Sequence, residues 1–198
     1  MRMLRNRWRL PAIATIAVFM ALGGCASVAP RIYLLGYPSD VTPVMRDETG
    51  LPIIEVEPVS VPDFQDSRDI LVRKGDNELV ADPLARWGER LSVGMTRALT
   101  AALAKRQPDF RVTSSKPVLA AAQKVRIDVD TFEIREDGLC LLGARWSISE
   151  DGGRRTATTD YARFSVKAVG VDTGAIVVAM TQAIDQLADR ISLALNDH

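Results

Sequence analysis

Three consecutive stretches between positions 125 and 169 alternate polar and apolar residues, and a long apolar stripe follows them. Val125, Ile127 and Val129 alternate with Arg126, Asp128 and Asp130, the two-residue period of a strand with one face in water. Phe132 and Ile134 continue in the opposite phase, which predicts a bulge near Thr131. Asp137-Gly138 turns the chain into residues 139–150. Asp151-Gly152-Gly153 turns it again into residues 156–169, where Phe164, Val166 and Ala168 face inward and Arg163, Ser165 and Lys167 outward. Such a meander leaves one apolar face that must be covered. Residues 173–196 supply the cover. Ile176, Val177, Met180, Ile184, Leu187, Ala188, Ile191 and Leu195 recur at helical spacing after Asp172, a residue suited to an N-cap. At ~1.5 Å per residue this helix spans ~36 Å, enough to cross a whole sheet. A partner-binding helix is the other reading of its stripe.

Upstream, residues 31–37 read as a strand and 39–50, with Pro38, Pro43 and Pro52 around them, as an exposed loop. Residues 53–61 form a second strand, and Pro58 within it predicts a bulge or a place near an edge. Gly75-Asp76-Asn77 joins residues 69–74 and 78–81 in a hairpin. Leu91, Met95, Ala98, Leu99, Ala102 and Leu103 mark an amphipathic helix over 91–106 that ends before Pro108. A short strand at 110–113 follows. Residues 114–124 form a connection whose shape the pattern leaves open, a helical turn over 118–123 being one option. The expected fold is α+β: a mainly antiparallel sheet with a C-terminal meander, covered by two amphipathic helices at about 91–106 and 173–196.

The chain has 198 residues, a length suited to one core. Its N-terminus stands apart. Residues 1–24 hold Arg2, Arg5, Arg7 and Arg9 and no acid, and residues 10–22 are almost wholly apolar. A basic start, an apolar run of ~12 residues and a small-residue exit describe a secretory signal; a spanning helix needs ~20 apolar residues. Leu22-Gly23-Gly24-Cys25 resembles a bacterial lipobox, which implies that the Cys25 thiol is acylated and becomes the first mature residue. An ordinary signal with a chance cysteine is the alternative. Several acyl chains at ~0.8 kcal/mol per buried CH₂ make a stable anchor. Ala26 and Ser27 follow, with no aspartate to mark inner-membrane retention, so the periplasmic face of a Gram-negative outer membrane is the expected site. The expected organisation is a signal peptide at 1–24, a lipidated tether at 25–30 and one α+β domain at 31–198.

Without those four arginines, 21 basic residues face 25 acidic ones. A mildly acidic body argues against nucleic-acid binding, which relies on basic surface. His198 is the only histidine and Cys140 the only cysteine besides Cys25. No metal site, cofactor motif or catalytic triad is therefore expected. Cys140 falls on the apolar side of its strand, where a thiol behaves as a small hydrophobe. Asp128, Asp130 and Glu133 are the best catalytic candidates, Asp128 and Asp130 lying ~6.6 Å apart on one strand face, in the range of glycosidase carboxylates. Their alternation with valines and isoleucines reads first as a solvated sheet face. Trp87, in Arg86-Trp87-Gly88-Glu89, reads as a staple at the strand-to-helix corner. Arg86 and Trp87 are also the candidate partner or lipid contacts, because both residue types are enriched in interface hot spots.

A series of elements in order resembles the ABC-type transport auxiliary lipoproteins. They are the lipobox, Tyr33-Leu34-Leu35, Val56, Val59 and Pro62, Ile70-Leu71-Val72-Arg73, Asn77-Glu78-Leu79, Arg86, Trp87 and Leu91, Asp128-Val129-Asp130, Phe132-Glu133, Trp146, and the closing helix from Val177 to Leu195. The Ser39 to Gly50 loop does not match. The resemblance implies a non-enzymatic outer-membrane lipoprotein, the auxiliary or docking component of an MCE-type intermembrane lipid transport system. Its partners would be a periplasmic MCE-domain protein and inner-membrane transport subunits, with a homo-oligomer open. The alternatives are an assembly lipoprotein supporting a β-barrel machine and a periplasmic hydrolase using Asp128 or Asp130.

Overall fold

The computed structural model describes residues 28–36, 49–150, 154–170 and 172–197. The elements in order are β1 (Arg31–Tyr33), β2 (Ile53–Val56), β3 (Asp69–Lys74), β4 (Glu78–Trp87), α1 (Leu91–Arg106), β5 (Arg111–Thr113), β6 (Gln123–Arg135), β7 (Leu139–Glu150), β8 (Arg155–Lys167) and α2 (Thr173–Asn196). All eight strands share one sheet.

The meander is its spine. β6 pairs antiparallel with β7, and β7 with β8. The predicted phase change is a break in the β6–β7 ladder between Val129 and Thr131. One extra residue there returns Phe132 and Ile134 to the core side, where both are buried. The opposite flank of β6 corrects the expectation of a mainly antiparallel sheet. The sheet is mixed, and four of its seven strand pairings are parallel: β1–β4, β2–β5, β2–β6 and β3–β6. The chain from β2 to β3 runs alongside β6 in the same direction. It pairs first at Ile54–Gln123, bridges at Ser60–Asp128, and pairs again at Val72–Ile134. Parallel neighbours are joined by distant crossovers, so nothing local in the sequence declares them.

Other boundaries shift for identifiable reasons. β1 ends at Tyr33, and within the described residues Gly36 has φ 82°, a conformation glycine adopts freely. The second strand stops at Val56. Pro58 offers no N–H, and the ladder resumes only as the Glu57 and Ser60 amides donate to the Val125 and Ile127 carbonyls. β4 runs on to Trp87 past Pro83, which falls in the register break opposite Ile70. The connection after β5 forms no helix at 118–123; Gln123 already opens β6.

Both helices occupy their expected ranges and pack against each other, α1 also against β5 and α2 against β7 and β8. The residues of the α1 stripe are all buried, as is the α2 stripe from Val177 to Leu195, with Ile176 packed at its margin. Gln107 locks the pair. Its buried Nε2 donates to Ser192 Oγ at 3.0 Å and Asn196 Oδ1 at 2.9 Å. Asp172 caps α2, accepting from the Ala175 amide at 3.1 Å.

The cap of α1 comes from elsewhere. Arg90 gives it no side-chain cap, and Asp66 instead accepts from the Ser92 amide at 3.0 Å while pairing with Arg90. Burial alone would raise this carboxyl's pKa; the Ser92 hydrogen bonds and Arg90 outweigh it and hold the group below its ordinary 3.8. Asp66→Ala is expected to cost ~1 kcal/mol at neutral pH, the usual loss of a cap. A native pKa depressed below the unfolded value gives stability that is present above pH 3.8 and lost as pH falls through the native value. Urea unfolding of the two chains should therefore converge in strong acid. A gap that persists there would remove Asp66 as the cap.

Candidate functional site

The short strand β1 joins the N-terminal segment to the body. It lies parallel to β4 with Ile32 opposite Arg86 and Tyr33 opposite Trp87. The Gly88 amide donates to the Tyr33 carbonyl at 2.8 Å, and the Trp87 amide to the Arg68 carbonyl at 2.7 Å. A side chain at Gly88 would press on Leu34 at 2.9 Å and Ile32 at 3.2 Å. Two long-range bonds fix the exit of the strand: Arg97 of α1 donates to the Leu35 carbonyl at 2.9 Å, and the Gly36 amide donates to Thr181 of α2 at 3.2 Å. No local signal marks Arg97 or Thr181 for this task, because each partner lies more than sixty residues away. Of the two candidate contacts, Trp87 is 4% exposed and closes the strand-to-helix corner. Arg86 reaches solvent, 3.7 Å from Asp69.

The sheet face opposite the helices carries the carboxylates. Glu55 pairs with Lys124 at 3.0 Å and Glu57 with Arg126 at 2.8 Å. Arg73 grips Glu133 through Nε and Nη2, at 2.6 and 2.5 Å, a bidentate pairing that fixes the carboxylate as an acceptor. Asp128 stands in register with Arg145. Asp130 sits at the bulge, accepts from Thr131 at 2.8 Å, and occupies the space a side chain at Gly143 would need. Arg145 and Arg163 lie over the Tyr161 ring, 5.9 and 5.6 Å from its centre. Each candidate acid thus has a cation or hydroxyl beside it, the arrangement of a charge-balanced surface. Among the described residues no group of three or more histidine, cysteine, aspartate or glutamate side chains could hold a metal ion. A recess of about 260 Å³ beside the bulge, lined by Thr131, Leu141, Leu142, Gly143, Arg163 and Phe164, is smaller than the ~300–1,000 Å³ of most small-molecule sites.

Cys140 is buried and faces the Ile176 carbonyl at 3.8 Å. Burial pushes its thiol up to about 11, which suppresses the reactive thiolate. Because that value lies above the ordinary 9.0, the thiol's contribution to stability is present below pH 9.0 and is lost as pH rises through about 11. Iodoacetamide at mildly alkaline pH should leave Cys140 unmodified in the native chain and label it in urea. Equal labelling rates would place it outside the core. Cys25 and His198 lie outside the described residues.

Fold and surface together define a class: a mixed-sheet α+β body with helices on one face, a charge-paired open face on the other, and an N-terminal strand pinned to its edge. No helix of the described residues is long and apolar enough to cross a membrane. The sequence model of the ABC-type transport auxiliary lipoprotein component matches residues 33–192, and the chain belongs to that family. It is 25% identical over 142 residues to the intermembrane transport lipoprotein PqiC of Escherichia coli K12, covering 71% of this chain and 74% of the relative. The fold is similar to a crystal structure of an uncharacterised protein, with a TM-score of 0.71 at 18% identity over 84% of this chain and 99% of the other. It is also similar to protein XCC0632 from Xanthomonas campestris, with a TM-score of 0.60 at 18% identity over 83% and 91%.

Proposed function

We propose that this chain is a non-enzymatic outer-membrane lipoprotein, acylated at Cys25, that docks an MCE-type intermembrane lipid transport system at the periplasmic face of that membrane. The family match across residues 33–192 carries the reading, and the intermembrane transport lipoprotein PqiC is the relative that points to transport between membranes. Residues 1–24 act as the signal, 25–30 as the tether and 31–198 as one auxiliary domain. The ion-paired carboxylates of the open sheet face support a surface that binds rather than reacts. Its partners are a periplasmic MCE-domain protein and, through it, the inner-membrane transport subunits.

Crosslinking in intact cells followed by purification of this chain tests the reading. An MCE-domain protein is the expected product, and crosslinks to a second copy would add a homo-oligomer to the assembly. Recovery with a β-barrel protein and no MCE-domain protein would overturn the proposal.

A further inference from the structure

The outer side of the β1–β4 edge is apolar and uncovered. Ile32 is 63% exposed and Leu34 55%, side by side over Gly88. Leu84, two positions before Arg86 on β4, is 55% exposed, and Val28, just upstream of β1, is 71% exposed. Alternation along β4 places Leu84 on the same face as Arg86, which stands opposite Ile32. Residues 26–35 contain no acid, and Arg31 is their only charge.

We infer that this edge, with Ile32 and Leu34 at its centre, rests on the phospholipid surface that holds the acyl chains. The inference rests on acylation of Cys25 and goes beyond it, because an anchor alone does not say which face of the body meets the lipid. The tether decides the occupant. Ile32 lies seven residues beyond Cys25, and at most ~3.6 Å per residue keeps it within ~25 Å of the anchored residue. The bonds from Arg97 and to Thr181 hold β1 against the body, so the edge cannot swing away from the bilayer without taking the domain with it. Apolar side chains beside arginines suit this boundary, where hydrocarbon lies under anionic phosphate. Arg86 supplies a cation on the face of Ile32, 3.7 Å from Asp69, and Arg31, in register with Ala85, adds its charge at the exposed start of β1 on the other side of the strand. Val118, Leu119 and Val169 are as exposed, but none is joined to the anchor by a short segment.

The test uses the full acylated chain in vesicles of phosphatidylethanolamine and phosphatidylglycerol. Single cysteines at Ile32→Cys, Leu34→Cys, Val118→Cys and Val169→Cys carry an environment-sensitive fluorophore, and brominated lipid is the quencher. All four positions are exposed, so unchanged thermal melting verifies each fold. Quenching several-fold stronger at 32 and 34 than at 118 and 169 is expected. Equal quenching at all four on a chain that floats with the vesicles overturns the lipid-facing edge and leaves acylation standing. A chain that does not float at all overturns both. Shielding of position 32 that needs an added MCE-domain protein assigns the edge to that partner and overturns the inference.

Discussion

Trp146→Ala is expected to cost ~3–5 kcal/mol, the range for truncating a large buried aromatic. Trp146 is 1% exposed on the core side of β7, opposite Ile127 of β6, in the layer beneath the helices. Rigid strands on both sides leave the cavity little chance to collapse. Against a total stability of ~5–15 kcal/mol such a loss is a large fraction, and the melting temperature should fall by about 6–20 °C for a chain of this size. Trp146→Phe gives the internal control. The Trp146 Nε1 donor is buried without an acceptor among the described residues, so phenylalanine keeps most of the apolar contact and removes a donor that gains nothing there. Its cost should be well below that of alanine. Calorimetry on the three chains measures both differences. A loss under ~1 kcal/mol for alanine would mean that β7 presents the other face to the core.

The second large effect concerns position in the cell. If Cys25 carries the anchor, Cys25→Ala should move the mature chain from the washed membrane pellet to the soluble periplasmic fraction. Each buried CH₂ contributes ~0.8 kcal/mol, so removing two or more chains converts stable attachment into none. Sedimentation must be read beside the N-terminal mass, because a chain that keeps its apolar residues 10–22 would pellet through them. The wild-type peptide should begin at an acylated Cys25. A variant that begins near residue 25 and still pellets would show that something other than lipid holds it.

How far the sequence could be read follows from the range of the interactions. The hairpin around Gly75, the bulge after Val129, the Asp172 cap and both helices rest on residues within a few positions of one another. Period, turn residues and caps therefore reveal them directly. The carboxylates on β6 are legible for the same reason: alternation with valines and isoleucines already places them in water. The parallel partners of β2, β3 and β1 have no such signature. Ile53 and Ile54 form an apolar pair that is buried on both sides, which fits an interior parallel strand but names no neighbour. Asp66 capping α1 across twenty-six positions and Arg97 holding the Leu35 carbonyl join segments that only the folded chain brings together.

By itself, then, the order of residues determined the meander, its covering helices and the solvated carboxylates, because local sterics and the burial period act within a few residues. The folded chain alone decided which strands run parallel and that Ile32 and Leu34 share an uncovered edge. Those outcomes depend on contacts between distant segments, whose closure is settled by the energy of the whole core rather than by any stretch of it.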